Sequence, residues 1–290
     1  SDGRGSEDCN GHGTHVAGTV GGSNYGVAPE VAIVPVRVLD CSGSGSTSAV
    51  IAGIDWVIAN HVAGTPAVAN MSLGGGRSSA LDIAVRSAVA DGVVFVVAAG
   101  NSTANACQSS PAGEPLAITV GATTLADAPS GFSNQGKCVD IFAPGSGILS
   151  AWFGAADATK DISGTSMASP HVAGAAAIYL GLNPNASVAQ VAQYLDAEST
   201  KDAITGLKVD TVNKYLYVSP TDGGAPIVAP VVAQKSVTNI THQSADVLID
   251  VNPGFAPTTL SFEYGTDATF ATSTTATVVP GLVDGGAPTT

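Results

Sequence analysis

The residues most suited to chemistry are a serine and a histidine, each set among small side chains. Ser166 lies in Gly-Thr-Ser-Met-Ala-Ser-Pro-His, at the predicted start of an alanine-rich helix. A hydroxyl there is open to a substrate carbonyl, and the positive end of the helix favours developing negative charge. A serine at this position also commonly acts as a simple helix cap. Taken alone, the segment favours the cap, with a nucleophile as the alternative.

His12 lies in Gly-His-Gly-Thr-His-Val-Ala-Gly. Imidazole can take a proton near neutral pH, and a serine needs such a base within hydrogen-bonding distance to act as a nucleophile. His15 lies three positions after His12, whereas the helices of metallohydrolases carry two histidines four positions apart with a glutamate between them. The pattern indicates a general base rather than a metal site, and His15 is interpreted as a core histidine. The histidines interpreted as structural are His61, His171 and His242.

Two further segments follow predicted apolar strands. Asn101 ends Ala-Ala-Gly-Asn, directly after the most hydrophobic run of the chain. Ligands bind at the carboxyl ends of strands in open α/β sheets, so the Asn101 amide could donate to a tetrahedral oxyanion. The alternative is that Asn101 only stabilises a turn. The segment 72–76, Ser-Leu-Gly-Gly-Gly, offers bare backbone that could pair with an extended peptide, line a pocket or form a simple loop.

The four cysteines allow three pairings. They are Cys9, Cys41, Cys107 and Cys138, and they form no Cys-x-x-Cys motif, which argues against a redox or zinc-ribbon site. Disulfides are favoured over free thiols. They would indicate an oxidising compartment and therefore an extracellular protein.

Composition excludes several classes of partner. The formal net charge is −13, so the surface repels the phosphates of nucleic acids and leaves carboxylates available for hard cations such as Ca²⁺. The apolar runs are too short to span a bilayer. We therefore expect no nucleic acid and no membrane as partners, and we also expect a monomer.

Strands and helices alternate along most of the chain. The predicted strands are 31–38, 67–73, 93–99, 116–120 and 139–142. The predicted helices are 48–60, 79–91 and 166–182. This alternation indicates an α/β fold, with a mostly parallel central sheet and helices on both faces. The composition changes near residue 219, which predicts a domain over 1–218, a linker over 219–235 and a partial, fibronectin-III-like β-sandwich over 236–290.

In this order, the four segments resemble the signature segments of the subtilisin-like serine proteases (peptidase S8 family). The likeness runs from residue 1 to about 218, and it is greatest to the proteinase K subfamily, especially its aqualysin-like bacterial enzymes. The resemblance implies a secreted serine endopeptidase of broad specificity that hydrolyses peptide bonds through an acyl-enzyme. It also implies the general base at His12, the nucleophile at Ser166 and the oxyanion donor at Asn101.

The resemblance implies further sites around these three residues. Ser72, Leu73, Gly74 and Gly100 match the substrate-binding segments, and Gly43, Ser44 and Gly45 resemble the opposing strand that clamps the peptide. The implied disulfides are Cys9–Cys41 and Cys107–Cys138. A structural calcium ion would be held by the Asp140 carboxylate and the carbonyl groups of Pro115 and Ala117, and no catalytic metal is implied.

One part of the family pattern has no match. Relatives carry a triad Asp on a strand roughly thirty residues before the His. Asp2 and Asp8 lie in a Gly- and Ser-rich turn, so neither is assigned as the acid. We expect an N-terminally truncated fold whose missing upstream part supplies this Asp, and we expect the chain alone to be inactive or weak.

Two other functions compete with the protease hypothesis. The sandwich-like tail and the unassigned acid are compatible with a non-catalytic extracellular binding or adhesion protein on the same scaffold. A metal-dependent hydrolase is the more distant alternative.

Overall fold

The computed structural model describes residue 5, residues 7–218 and four strands beyond them. The chain divides into two units, residues 1–225 and 226–290. The helices of the first unit are α1 (His12–Gly21), α2 (Thr47–Asn60), α3 (Ser79–Ala90), α4 (Thr165–Leu182) and α5 (Val188–Glu198). Its strands are β1 (Val68–Met71), β2 (Gly75–Gly76), β3 (Val94–Ala98), β4 (Ser109–Ser110), β5 (Ile118–Thr123), β6 (Ile141–Pro144), β7 (Ile148–Ala151), β8 (Thr159–Ile162), β9 (Thr200–Lys201) and β10 (Lys214–Tyr215).

The central sheet has six strands in the order β1-β3-β5-β6-β10-β9. All neighbours run parallel except β9, which pairs antiparallel with β10. Val68 lies beside Val94, and Val96 lies beside Ile118. The predicted, mostly parallel sheet is therefore confirmed.

Helices cover both faces of this sheet because β3 is apolar on both sides. Val94 and Val96 pack into a core cluster with residues of α4 and α5. Val93, Phe95 and Val97 point the other way and pack against α2 and α3. A continuous apolar run of this kind is what a strand buried on both faces requires.

The strand predicted over 31–38 is wrong. The segment forms no strand; Ile33 is 44% exposed and Val34 is 66% exposed. Pro35 interrupts the run and has no N–H to give a ladder. Val36 and Val38 instead pack against Gly53 of α2, where an added Cβ would lie 2.4 Å from Cγ1 of Val38. The apolar residues Val36 and Val38 are therefore explained by packing against α2 and not by a strand.

Among the described residues, the second unit has four strands. They are β11 (Val231–Thr238), β12 (Asp246–Asn252), β13 (Thr258–Gly265) and β14 (Ser273–Leu282). The first two pair antiparallel, as do the last two. Residues 219–230 of the predicted linker lie outside the described residues, and the three-part domain division with a β-sandwich stays a prediction. No helix in the described part of the chain is both long and apolar enough to cross a membrane.

His61 joins the ends of α2 and α3. Its Nδ1 lies 2.7 Å from Oδ2 of Asp91, and its Nε2 lies 2.9 Å from the carbonyl oxygen of Thr65. Both partners are acceptors, so both ring nitrogens donate only when the imidazole is protonated. The Thr65 carbonyl and then the Asp91 carboxylate raise the pKa of His61, against the effect of burial.

A raised folded-state pKa makes this contact stabilising at low pH. The contribution is complete below the unfolded pKa of about 6.5 and is lost as the pH rises through the folded value. We expect His61→Gln to lower the free energy of unfolding by under about 1 kcal/mol at pH 5, and by less at pH 9, because the pair is partly screened by solvent. Denaturant unfolding across this range measures the difference. A difference that stays constant with pH would contradict the interpretation.

Candidate active site

Ser166 lies in the first turn of α4. The cap residue of this helix is Gly164, which makes no side-chain cap hydrogen bond. The hydroxyl of Ser166 donates instead to the carbonyl oxygen of Ser72, 3.2 Å away, at the end of β1. The simple-cap interpretation therefore does not describe Ser166, whose side chain is directed away from the free N–H groups of its helix.

The beginnings of α1 and α4 lie at the same end of a packed helix pair. Val16 and Met167 share one buried cluster. Further along both helices, a Cβ on Gly174 would lie 3.3 Å from the carbonyl oxygen of Val20. The two helices therefore run in the same direction. His12 precedes Val16 by one turn and Ser166 precedes Met167 by one residue, which places both at this common end.

His12 is held where a neutral imidazole is favoured. Burial lowers the pKa of His12, and the neighbouring His15 lowers it further, whereas Asp8 acts in the opposite direction. A neutral ring at neutral pH is the form that can accept a proton. His15 is fully buried, with Nε2 2.9 Å from the carbonyl oxygen of Ile148. It is therefore a core residue, as its position in the sequence indicates.

Asp8 stabilises the start of α1. Its Oδ1 accepts from the backbone N–H of Asn10 at 2.9 Å and of Gly11 at 2.8 Å. Its Oδ2 accepts from the N–H of Thr14 at 2.8 Å and from the Thr14 hydroxyl at 2.6 Å. Burial alone would raise the pKa of Asp8, but these hydrogen bonds lower it to about 2. Both carboxylate oxygens are committed to the first turn of the helix, which supports leaving Asp8 unassigned as a triad acid.

Asn101 is oriented by Thr165. The Oδ1 of Asn101 accepts from the backbone N–H of Thr165 and from its hydroxyl, both at 2.9 Å. The same hydroxyl accepts from the N–H of Gly100 at 3.1 Å. Because the amide oxygen has two donors, the NH₂ group must face the other way. Its Nδ2 lies 3.5 Å from the point that a Cβ on Gly164 would occupy, beside the first turn of α4.

Sequence reasoning missed this role of Thr165. A hydroxyl that adjoins both the nucleophile candidate and the helix start was visible in Gly-Thr-Ser. However, its partners are more than sixty positions away in the chain, at Gly100 and Asn101. The residues next to Thr165 in the sequence therefore do not indicate these distant partners.

The segment after β1 is fixed at both ends. The hydroxyl of Ser72 donates to the carbonyl oxygen of Ser166 at 2.7 Å. Gly75 and Gly76 form β2 and pair antiparallel with β4. Leu73 packs onto the core cluster beneath α3, and a Cβ on Gly74 would lie 3.2 Å from the carbonyl oxygen of Ser110. The predicted substrate segment thus lies directly beside the candidate nucleophile.

The opposing segment, predicted as a strand at Gly43, Ser44 and Gly45, is part of a turn. Asp40 shapes it, because its Oδ1 accepts from the N–H of Ser42 at 2.9 Å and of Ser44 at 3.0 Å. Carboxylates commonly fold a chain back in this way, which the glycine-rich pattern did not reveal. The turn remains close to α1, since Nδ2 of Asn10 donates to the carbonyl of Cys41 at 3.1 Å. Its contact with substrate stays a prediction.

The structure contains the two implied disulfides. Cys9 is bonded to Cys41 across a separation of 32 residues, and Cys107 to Cys138 across 31. The first ties the turn at 40–45 to the residues immediately before α1. It therefore fixes the position of this turn relative to the start of α1 and His12.

The predicted calcium ligands lie at the amino edge of the sheet. Ala117 directly precedes β5 and Asp140 directly precedes β6, and Oδ2 of Asp140 accepts from the N–H of Thr119 at 2.8 Å. Asp140 as a residue is exposed, yet partial desolvation of its carboxyl group by the surrounding protein raises its pKa to about 6, against the hydrogen bond from Thr119 and the charge of Lys214. In the described part of the chain, no three His, Cys, Asp or Glu side chains are grouped as metal ligands, so a site here would rely on carbonyl oxygens.

Several known proteins are similar to this chain. The model of the subtilase family, Peptidase_S8, matches residues 1–234. Alkaline serine exoprotease A of Vibrio alginolyticus is 60% identical over 210 residues, which cover 72% of this chain and 38% of that protein. An extracellular serine proteinase of Thermus sp. (strain Rt41A) is 58% identical over 211 residues, or 73% of this chain and 51% of the relative. The chain thus spans about half or less of these relatives.

A solved structure is similar as well. The crystal structure of a cold-adapted subtilisin-like serine proteinase superposes with a TM-score of 0.71 at 56% identity, covering 73% of this chain and 76% of that one. At this identity and TM-score, the fold is shared.

Proposed function

Since the chain belongs to the subtilase family, we propose that the protein is a secreted serine endopeptidase that hydrolyses peptide bonds through an acyl-enzyme. The observation that carries the proposal is the arrangement at the start of α4. Ser166 lies there with the donor group of Asn101 turned toward the same turn and with His12 at the start of the neighbouring helix.

These residues supply each step of acyl transfer. The neutral His12 removes the proton of the Ser166 hydroxyl as its oxygen attacks the substrate carbonyl carbon. The carbonyl oxygen becomes an oxyanion, which accepts hydrogen bonds from the Asn101 NH₂ group and from the backbone N–H of Ser166. The imidazolium then protonates the leaving amine as the C–N bond breaks. Water, deprotonated by His12, then attacks the ester carbonyl carbon. The C–O bond to Ser166 breaks, the carboxylic acid product leaves, and the imidazolium returns the proton to the Ser166 oxygen.

Backbone pairing supplies substrate binding. We assign Ser72, Leu73 and Gly74 to one side of an extended peptide and the turn at Gly43–Gly45 to the other. Contacts of this kind recognise main-chain N–H and C=O groups, which every peptide offers, so broad specificity follows. Gly100 adjoins the oxyanion site and has φ of 102°, a conformation that favours glycine over larger residues.

Cleavage within the chain distinguishes this proposal from removal of terminal residues. We expect the complete protein to cut a quenched fluorescent peptide that is blocked at both ends, and we expect Ser166→Ala to abolish the cleavage. A protein that releases amino acids only from free termini would overturn the endopeptidase assignment. Binding without cleavage would favour the adhesion alternative.

Secretion is supported by the two disulfides, which persist in oxidising compartments. The name of the Thermus relative also describes an extracellular enzyme. The acidic composition disfavours nucleic-acid partners, and polypeptides are the proposed substrates.

We also propose a structural calcium ion held by Asp140, Pro115 and Ala117. The donors are carboxylate and carbonyl oxygens, which is the set that this hard cation prefers. Asp140 and Ala117 precede neighbouring strands, so a bound ion would link the amino ends of β5 and β6. It would also offset the cost of an ionised carboxylate in a packed position.

Replacing Asp140 tests the calcium proposal. Calcium at one hundred times its dissociation constant is expected to add about 2.7 kcal/mol to the free energy of unfolding, and Asp140→Asn is expected to lose most of that increment. Thermal unfolding with and without calcium, in the Ser166→Ala background, measures it. The matched control is Asp55→Asn, at an exposed position on α2. An undiminished calcium response in Asp140→Asn would contradict this site.

A further inference from the structure

Three polar side chains form a hydrogen-bonded chain behind the candidate nucleophile. The hydroxyl of Ser169 donates to Oδ1 of Asn70 at 2.7 Å. The Nδ2 of Asn70 donates to Oγ of Ser72 at 2.9 Å. The hydroxyl of Ser72 then donates to the carbonyl oxygen of Ser166 at 2.7 Å. Ser169 is fully buried and Ser72 is 9% exposed, so these contacts have little competition from water.

The last acceptor in this hydrogen-bonded chain lacks the usual donor of an α-helix. The carbonyl of residue i in an α-helix accepts from the N–H of residue i+4. For Ser166 that residue is Pro170, which lies inside α4 and has no N–H. A buried carbonyl without a donor costs free energy comparable to a lost hydrogen bond. The hydroxyl of Ser72 supplies the donor that the proline removes.

This requirement fixes the direction of the whole chain. The Ser166 carbonyl can only accept, so the single hydroxyl proton of Ser72 must go to it. Oγ of Ser72 is then left to accept, and the NH₂ end of Asn70 must face it. The oxygen end of Asn70 consequently faces Ser169. Of the three side chains, only Asn70 must present a donor and an acceptor at fixed ends, because a hydroxyl can reverse its role by rotation.

The hydrogen-bonded chain acts directly on the candidate nucleophile, because two hydrogen bonds join Ser72 and Ser166. In the second bond, the Ser166 hydroxyl donates to the Ser72 carbonyl at 3.2 Å. The position of Ser72 therefore sets both the backbone and the side chain of Ser166 relative to His12 and Asn101. We propose that Asn70 is a positioning residue for the reaction, acting through Ser72 to hold the Ser166 carbonyl that Pro170 leaves without a helical donor. This inference rests on the proposed function.

Asn70→Asp is the sharpest test because it preserves the shape of the side chain and turns its donor end into an acceptor. A carboxylate would take the Ser72 proton for itself and leave the Ser166 carbonyl unpaired. We expect kcat on a blocked peptide substrate to fall on the order of 10–100-fold, as misplacement of a reacting group can cause. KM should stay within about twofold, since the peptide-binding backbone is retained. Asn60→Asp, on the exposed end of α2, is the control for the added charge.

A second-site change separates positioning from general destabilisation. Pro170→Ala would place an N–H at the position where the Ser166 carbonyl expects its helical partner. We therefore expect Asn70→Asp/Pro170→Ala to recover several-fold in kcat over Asn70→Asp alone. Asn70→Ala and Ser72→Ala should also be strongly non-additive, because both interrupt one chain.

Several results would overturn the inference. The first is an unchanged kcat in Asn70→Asp, the second is no recovery of kcat on adding Pro170→Ala, and the third is a simple addition of the losses at Asn70 and Ser72. A loss of kcat that merely follows a fall in Tm would show a structural role only. If wild-type protein neither cleaves peptides nor reacts at Ser166, the proposed function fails; an active wild type with an equally active Asn70→Asp variant rejects this inference alone.

Discussion

Ser166→Ala and His12→Ala are each expected to lower kcat on a blocked peptide by about 10⁶-fold, which is the loss known for the corresponding changes in subtilisin, a member of the family. In the proposed mechanism the two residues act in one proton transfer, so removing the base leaves a hydroxyl that cannot attack. Removing the hydroxyl leaves a base with no nucleophile to activate. The double variant should therefore be no slower than either single variant.

Steady-state kinetics on the complete protein measure these losses. Ser79→Ala, at an exposed position on α3, is the matched control and should stay within about twofold of wild type. Losses that multiply in the double variant would show that the two residues act independently. That outcome would contradict a shared proton transfer between the starts of α1 and α4.

The second large effect is expected at Asn101. Removing its amide donor should lower kcat by about 10²–10³-fold with little change in KM, a magnitude taken from the equivalent asparagine of subtilisin. The donor acts on the oxyanion, which exists only after attack, so the loss belongs to the transition state. Asn101→Asp is the informative variant because it keeps the acceptor that holds Thr165.

Thr165→Val provides the comparison for Asn101. It removes the hydroxyl that orients the amide but leaves the amide in place, so a smaller loss of kcat is expected. Affinity for a peptide aldehyde or boronic acid, which forms a tetrahedral adduct, should fall in parallel with kcat in both variants. A rise in KM with unchanged kcat would instead place Asn101 in ground-state substrate binding.

The buried strands and long helices could be predicted because their hydrophobic patterns are local. β3 and α4 lie within one or two residues of their expected bounds. The sequence predicts that β5 ends at residue 120, because glycine at position 121 is unfavourable in a strand. The strand nevertheless continues to Thr123. An added Cβ at Gly121 would lie 2.3 Å from the ring of Phe142 on β6, so the glycine is required by packing that only the sheet reveals.

Some site residues can be recognised from the sequence around them, and others cannot. Ser166, His12 and Asn101 stand out because each combines a reactive group with glycines at an element end. Asn70 does not stand out, since it is one polar residue inside a short strand and its partner Ser169 is 99 positions away. The one local indication was Pro170, four residues after Ser166, which predicts a carbonyl in need of a donor but not the residue that supplies it.

The central claim is that His12 activates Ser166 in this protein. Treating the complete protein with a peptidyl phosphonate, followed by mass-spectrometric mapping of the modified residue, tests it most directly. We expect a single phosphonylated residue, Ser166, with labelling that is rapid in wild type and lost in His12→Ala. Labelling at another residue, or labelling of Ser166 at an undiminished rate without His12, would contradict it.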